Sequence, residues 1–100
     1  MSDKVDEEVA MVHGSGNVFA DLGLPDAETL QLKAQIAAEI IWALDERGLG
    51  VKGAAELTGT DASDFSRVRR GKLSRLTVDR LLRMAERLGR KATISFAKAA

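Results

Sequence analysis

The chain has no cysteine and no tyrosine, and His13 is its single histidine. Without thiols there is no disulfide framework, no thiolate metal site and no thiol redox chemistry, which fits a reducing cytoplasm. With one His and carboxylates mostly in the N-terminal stretch and on helix surfaces, no nucleophile-base pair or ligand cluster assembles. An enzyme is therefore the least favoured class, and neither a metal nor a cofactor is expected. No apolar run approaches the ~18 residues needed to cross a bilayer. The acidic start, Ser2 to Glu8, lacks the basic beginning of a secretory signal. A cytoplasmic protein with no membrane partner is the expectation. His13 lies in a Gly-rich stretch and reads as linker, and Gly14-Ser15-Gly16-Asn17 lacks the Gly-Lys-Ser/Thr that a phosphate cradle requires.

What is present is ordinary for a soluble globular domain: 100 residues, 45% hydrophobic and 30% charged. That length buries one modest core. The net charge of zero conceals a division. Residues 1–50 hold three Lys/Arg against ten Asp/Glu, a net −7, and residues 51–100 hold twelve against five, a net +7. A basic half is a hint of nucleic-acid binding, although two differing solvated faces would give the same total.

Residues 1–16 read as a flexible acidic leader, because a polar Ser/Gly-rich stretch buries too little to offset its ordering entropy. Residues 17–100 form the domain. Val18, Phe19, Leu22 and Leu24 are apolar and should pack on the domain or on a partner. Asp26 is suited to cap a first helix running to Arg47, with Leu30, Ala34, Ala37, Ile41 and Leu44 on one face and Ile36 and Ile40 widening it. Trp42 falls at the margin of that face. Gly48-Leu49-Gly50 ends this helix, and a shorter one follows from Val51 to Thr58 with Ala54, Ala55 and Leu57 as its apolar residues. Gly53 weakens it by roughly 1 kcal/mol relative to Ala. Gly59 suits a left-handed turn and Asp61 a cap for a helix from Ala62 to Arg70, which Gly71 stops. Thr77 caps the last helix, whose inner stripe is Val78, Leu81, Leu82, Ala85 and Leu88, and Gly89 terminates it. Ala92-Thr93-Ile94-Ser95-Phe96 alternates like a short strand, and its simplest partner is its copy in a second subunit. The expected fold is all-α with an added dimerisation edge.

The stretch Ala55 to Lys72 carries the function. Two short helices joined by a three-to-four-residue turn containing Gly place the second helix in a major groove. In that second helix Phe65 and Val68 point inward, and polar or basic side chains occupy the other face. Leu49 to Leu88 resembles the Xre/Cro/C1-type helix-turn-helix family: Ser66-Arg67 and Arg70-Gly71-Lys72 match the ends of that family's Ser-x-x-x-Ser-Arg and Arg-Gly-Lys patterns, and Ser63 stands one residue nearer Ser66 than the first of them. Asn17 to Pro25 and the Leu88-Gly89-Arg90 ending are similar to its HigA-type antitoxin branch. The resemblance implies a compact four- to five-helix lambda-repressor-like DNA-binding domain, with a helix-turn-helix core at residues 49–89 and the dimerisation strand at 92–96. It further implies a homodimer on double-stranded operator DNA, repression of its own operon and a HigB-type toxin as partner. Stand-alone regulators share the same domain, and a protein-binding module without DNA contact is the more distant alternative.

Residues at the start of the reading helix face base edges, so Ala62, Ser63 and Arg67 are the candidates for direct readout. Ala62 suits a thymine methyl, and the Arg67 fork suits guanine O6 and N7, a contact worth about 1–3 kcal/mol of discrimination. Asp64 repels phosphate and is assigned either to orienting Arg67 or to accepting from a cytosine amino group. Ser66, Arg69, Arg70, Lys72, Ser74 and Arg75, with Lys52 at the start of the preceding helix, are placed to meet phosphates. Arg80, Arg83, Arg87 and Arg90 read as a solvated face, which is the commoner fate of a basic helix surface.

Overall fold

The computed structural model describes residues 22, 23 and 26–98. Four helices follow in order: α1 Ala27–Arg47, α2 Val51–Thr58, α3 Ala62–Arg69 and α4 Val78–Arg87. The helical expectation holds among the described residues. The acidic leader, His13, Val18, Phe19 and Leu24 lie outside them, and Leu22 is exposed. No described helix is long and apolar enough to cross a membrane.

α1 runs uninterrupted for 21 residues because neither Gly nor Pro falls within it. It ends where Gly48 turns left-handed at φ 64° and its N–H donates to the carbonyl of Asp45, a conformation that costs Gly nothing. Asp26 occupies the cap position but not the expected role: it sits at φ 55° and its side chain makes no capping bond. The inner stripe also lies later along the helix than the spacing suggests. Ile36, Ala37, Ile40, Ala43 and Leu44 are buried, whereas Leu30, Ala34 and Ile41 are half-buried. α1 packs against α4 and α3, and its buried residues run from Ile36, near its middle, to Leu44.

α2 supplies Ala54 to the core and stops at Gly59, whose φ of 75° lets its N–H donate to the carbonyl of Ala55 at 2.8 Å. Leu57, one of the apolar residues of this helix, is 52% exposed. The inner position belongs to Thr58, whose hydroxyl donates to the carbonyl of Ala54 at 2.7 Å and accepts from the Thr60 N–H at 3.1 Å. Burying Thr satisfies the turn's polar groups, which a Leu there would leave without partners. Gly53 has a packing reason: a Cβ on it would lie 3.1 Å from Leu49 Cδ2, so the preceding loop crosses closely over the helix at that residue.

α3 lays Phe65 and Val68 into the core, Phe65 with no exposed surface. Asp61 stands at its cap position without a side-chain capping bond, which corrects the role expected of it. Between α3 and α4, Leu76 is buried and Leu73 half-buried, two anchors in a loop that has no periodicity to announce them. Thr77 does cap α4, its hydroxyl oxygen accepting from the Arg80 N–H at 3.2 Å. Leu81, Ala85 and Leu88 are buried as expected, joined by Met84, while Val78 and Leu82 pack at the core's edge. Fully burying such side chains stabilises by roughly 1.5–3 kcal/mol each.

No strand occurs among the described residues, so the short strand expected at 92–96 is not formed in the single chain. Residues 91–98 have no regular structure and are exposed, with Ile94 66% and Phe96 94% accessible. A ladder needs a second strand to take its N–H and C=O groups, and the lone chain offers none.

Candidate nucleic-acid interface

Helical periodicity divides α3 cleanly. Phe65 and Val68 point into the core, and Asp64 is buried beside them. Residues 62, 63, 66, 67 and 70 fall on the opposite stripe. There Ser63 and Arg70 are exposed and Ala62, Ser66 and Arg67 are half-buried. The three proposed base-reading residues are thereby brought onto one outward face. Lys72, Ser74 and Arg75 continue from it along the exposed loop to α4, and Lys52 is exposed in the first turn of α2. Among the described residues, Lys52, Arg70, Lys72 and Arg75 have no ion-pair partner.

Two residues assigned to that surface lie elsewhere. Arg69 is turned toward α1, where its Nη2 donates to Asp45 Oδ1 at 2.8 Å. It therefore braces the start of the basic loop against the first helix, in an exposed pair worth ~0–1 kcal/mol. Asp64 is directed inward, its side chain only 5% exposed, which closes the cytosine-accepting alternative. Its Oδ1 accepts from Arg67 Nη1 at 2.8 Å, the contact an orienting role requires. Its Oδ2 accepts from Arg80 Nε at 2.6 Å. No buried side-chain polar atom among the described residues lacks a partner.

The arginines of α4 and its end do not form the free solvated face expected of them. Arg80 reaches Asp64, Arg87 Nη1 donates to the carbonyl of Thr58 at 3.2 Å, and Arg90 pairs with Glu46 at 2.8 Å and lies 3.8 Å from Glu39. Of the four, only Arg83 makes no such bond to a protein acceptor among the described residues. These contacts join residues 16 to 51 apart in the chain, so no local pattern could announce them. Arg87 closes the carbonyl end of α2 just before the turn, and Arg47 does the same at the end of α4 by donating to the carbonyl of Leu88 at 3.2 Å. Both meet the need of a helix C-terminus for donors. At the other end of α4, the carboxyl of Asp79 is held below the usual 3.8, chiefly by the Thr77 hydroxyl and secondarily by backbone N–H groups and Arg83.

The site is thus an eight-residue helix fixed on its inner side by an aromatic, a valine and a shared carboxylate. It follows a short helix across a three-residue turn, Gly59 to Asp61, and its outer side is small, polar and cationic. A family model described as a helix-turn-helix domain matches residues 18–97. The chain belongs to that helix-turn-helix family. Comparisons with curated proteins and with solved structures give no match. Within the helix-turn-helix frame, α2 is the first helix of the motif and α3 the second. The helix-turn-helix match extends to the exposed segment beyond α4, so that Ile94 and Phe96 belong to the domain. It also takes in residues 18–21, 24 and 25, which lie outside the described ones.

Proposed function

We propose that this helix-turn-helix protein is a sequence-specific DNA-binding transcriptional repressor that acts as a homodimer in the cytoplasm, a binding protein and not an enzyme. One observation carries the proposal: α3 presents Ala62, Ser63, Ser66, Arg67 and Arg70 on one outward face while Phe65 and Val68 lock its other face to the core. A major groove admits such a helix. Ala62, Ser63 and Arg67 then read base edges, and Ser66, Arg70, Lys72, Ser74, Arg75 and Lys52 meet the backbone. Phosphate contacts set register and supply salt-dependent affinity, whereas base contacts supply selectivity.

The dimer rests on the exposed end of the chain. Ile94 and Phe96 stand in an alternating segment beside a hollow of about 300 Å³, whose lining includes Ile36, Leu82, Ala85 and Ala92. Pairing of two such segments would satisfy their backbones and cover the apolar side chains, placing two α3 helices about 34 Å apart on one face of the duplex. Removing residues 92–100 is expected to shift the protein to monomer in sedimentation and to weaken operator binding with it.

The narrower form of the proposal is an antitoxin that also neutralises a HigB-type toxin, supported by the resemblance of residues 17–25 and 88–90. Co-expression with the product of an adjacent small basic reading frame tests it: rescue of growth supports the antitoxin, and absence of such a partner leaves a stand-alone regulator. DNA binding itself is tested by selecting bound duplexes from a random pool, then measuring the shift of the selected site with wild type, Arg67→Ala and Arg70→Ala. Both variants should bind more weakly. Equal binding by all three overturns α3 as the recognition element, and a pool that yields no enriched duplex overturns the DNA model in favour of a protein-binding module.

A further inference from the structure

Arg80 lies on α4, outside the two helices of the motif, yet it shares a buried carboxylate with the residue best placed to read a base. Asp64 is 5% exposed, and its two oxygens are divided: Oδ1 takes Arg67 Nη1 at 2.8 Å, while Oδ2 takes Arg80 Nε at 2.6 Å and also meets its Nη2. We infer that Asp64 and Arg80 are positioning residues for base recognition, fixing Arg67 so that its free edge faces the groove before DNA arrives. This rests on the reading of α3 as the recognition helix.

Three features lead there. A guanidinium has five N–H donors in a fixed fork, and the bond to Asp64 engages one of them. The rest remain for a bidentate contact with guanine O6 and N7. Arg67 keeps 32% of its side chain exposed, so its outer edge is reachable while its inner edge is held. A carboxylate alone beside Arg67 would cancel its charge and repel the nearby phosphates. With Arg80 as second partner the three groups total +1, so Asp64 can hold Arg67 without removing its attraction for DNA. Arg80 also ties the position of Arg67 to α4, because its backbone N–H donates to the Thr77 cap of that helix. An arginine already ordered on its own helix loses less freedom on binding than one free in solvent.

The experiment uses the full chain, a duplex selected from a random pool by the wild-type protein, and a scrambled duplex of the same composition. Dissociation constants for both duplexes are measured for wild type, Asp64→Asn, Arg80→Gln, Arg67→Ala and the double variant Asp64→Asn/Arg67→Ala, with folding checked by circular dichroism. Asp64→Asn and Arg80→Gln should each lower the ratio of selected to scrambled affinity roughly tenfold while leaving scrambled binding within about twofold. Once Arg67 is Ala, adding Asp64→Asn should cost little more, the non-additivity expected of groups acting as one unit. If Asp64→Asn does not fold, the half-exposed Arg80→Gln decides alone. An unchanged ratio, or an equal loss on both duplexes, overturns the inference, the latter by making Arg80 a plain phosphate contact. If the pool yields no enriched sequence, the DNA-reading proposal has failed instead.

Discussion

In the scaffold made by α1 and α4, Arg47 donates to the carbonyl of Leu88, Arg87 to that of Thr58, and Arg90 pairs with Glu46. Around the outward face of α3, by contrast, Arg70, Lys72 and Arg75 are exposed and meet no protein carboxylate among the described residues. Both regions are rich in cationic side chains. What separates Arg47, Arg87 and Arg90 from Arg70, Lys72 and Arg75 is whether the cation already has a protein acceptor. Cations bonded to helix ends and carboxylates hold elements together, and cations left in solvent are available to an anionic partner.

The largest break in this division comes from its shared support. Phe65 is fully buried on the inner face of α3, so Phe65→Ala removes the anchor that joins α3 to the scaffold. Truncation of a buried Phe costs about 3–5 kcal/mol. Chemical denaturation should show that loss, and DNA binding should fall with the folded fraction. A loss under 1 kcal/mol would mean that α3 stands without its anchor. Next comes Gly59, at φ 75° between α2 and α3 with open space where a Cβ would go. The strain of Gly59→Val is therefore backbone strain alone, about 1–3 kcal/mol. An unchanged melting temperature would contradict the left-handed turn.

A matched pair sharpens the comparison directly. Arg87→Ala removes a donor from the end of α2 and should cost roughly 1 kcal/mol of stability, with little change in DNA affinity measured well below the melting temperature. Arg70→Ala should leave stability within about 0.5 kcal/mol, yet weaken binding to all duplexes and reduce the salt slope by about 1. Reversal of these two outcomes would show that bonded and free arginines are not separated as described.

How much of this was legible in the sequence follows from the range of each interaction. The helix boundaries, the left-handed Gly59, the Thr77 cap and the inward Phe65 and Val68 are set within a few residues, and spacing alone exposes them. Thr58, and not the apolar Leu57, takes the inner position because the hydrogen bonds of the turn decide it, which hydrophobicity alone does not show. Leu76 was invisible because it anchors an aperiodic loop. In the candidate site, the outer stripe of α3 came from the period of the helix, and the contact of Asp64 with Arg67 from a spacing of three. The turning of Arg69 to Asp45 and the reach of Arg80 to Asp64 needed the packing of separate helices, which no local pattern encodes.

The smallest expected effect concerns the start of α4, which the scaffold shares with the loop leaving α3. Asp79 lies in the first turn of that helix, where a carboxylate is favoured by the helix dipole. Its carboxyl is held below the ordinary 3.8, first by the Thr77 hydroxyl and then by backbone N–H groups and Arg83. A folded-state value below the unfolded one means the carboxylate stabilises the fold above the unfolded value, and that this contribution is lost as pH falls through the folded value. Asp79→Asn should therefore melt slightly lower than wild type at neutral pH, with the gap closing as pH drops below about 4. Because Thr77 is the leading cause, a Thr77→Val background should narrow the pH-dependent part of the gap while lowering both melting temperatures together through loss of the cap. A gap that stays constant down to pH 3, or widens, would remove Asp79 from the support of α4 and leave the Thr77 cap to hold that end of the scaffold alone.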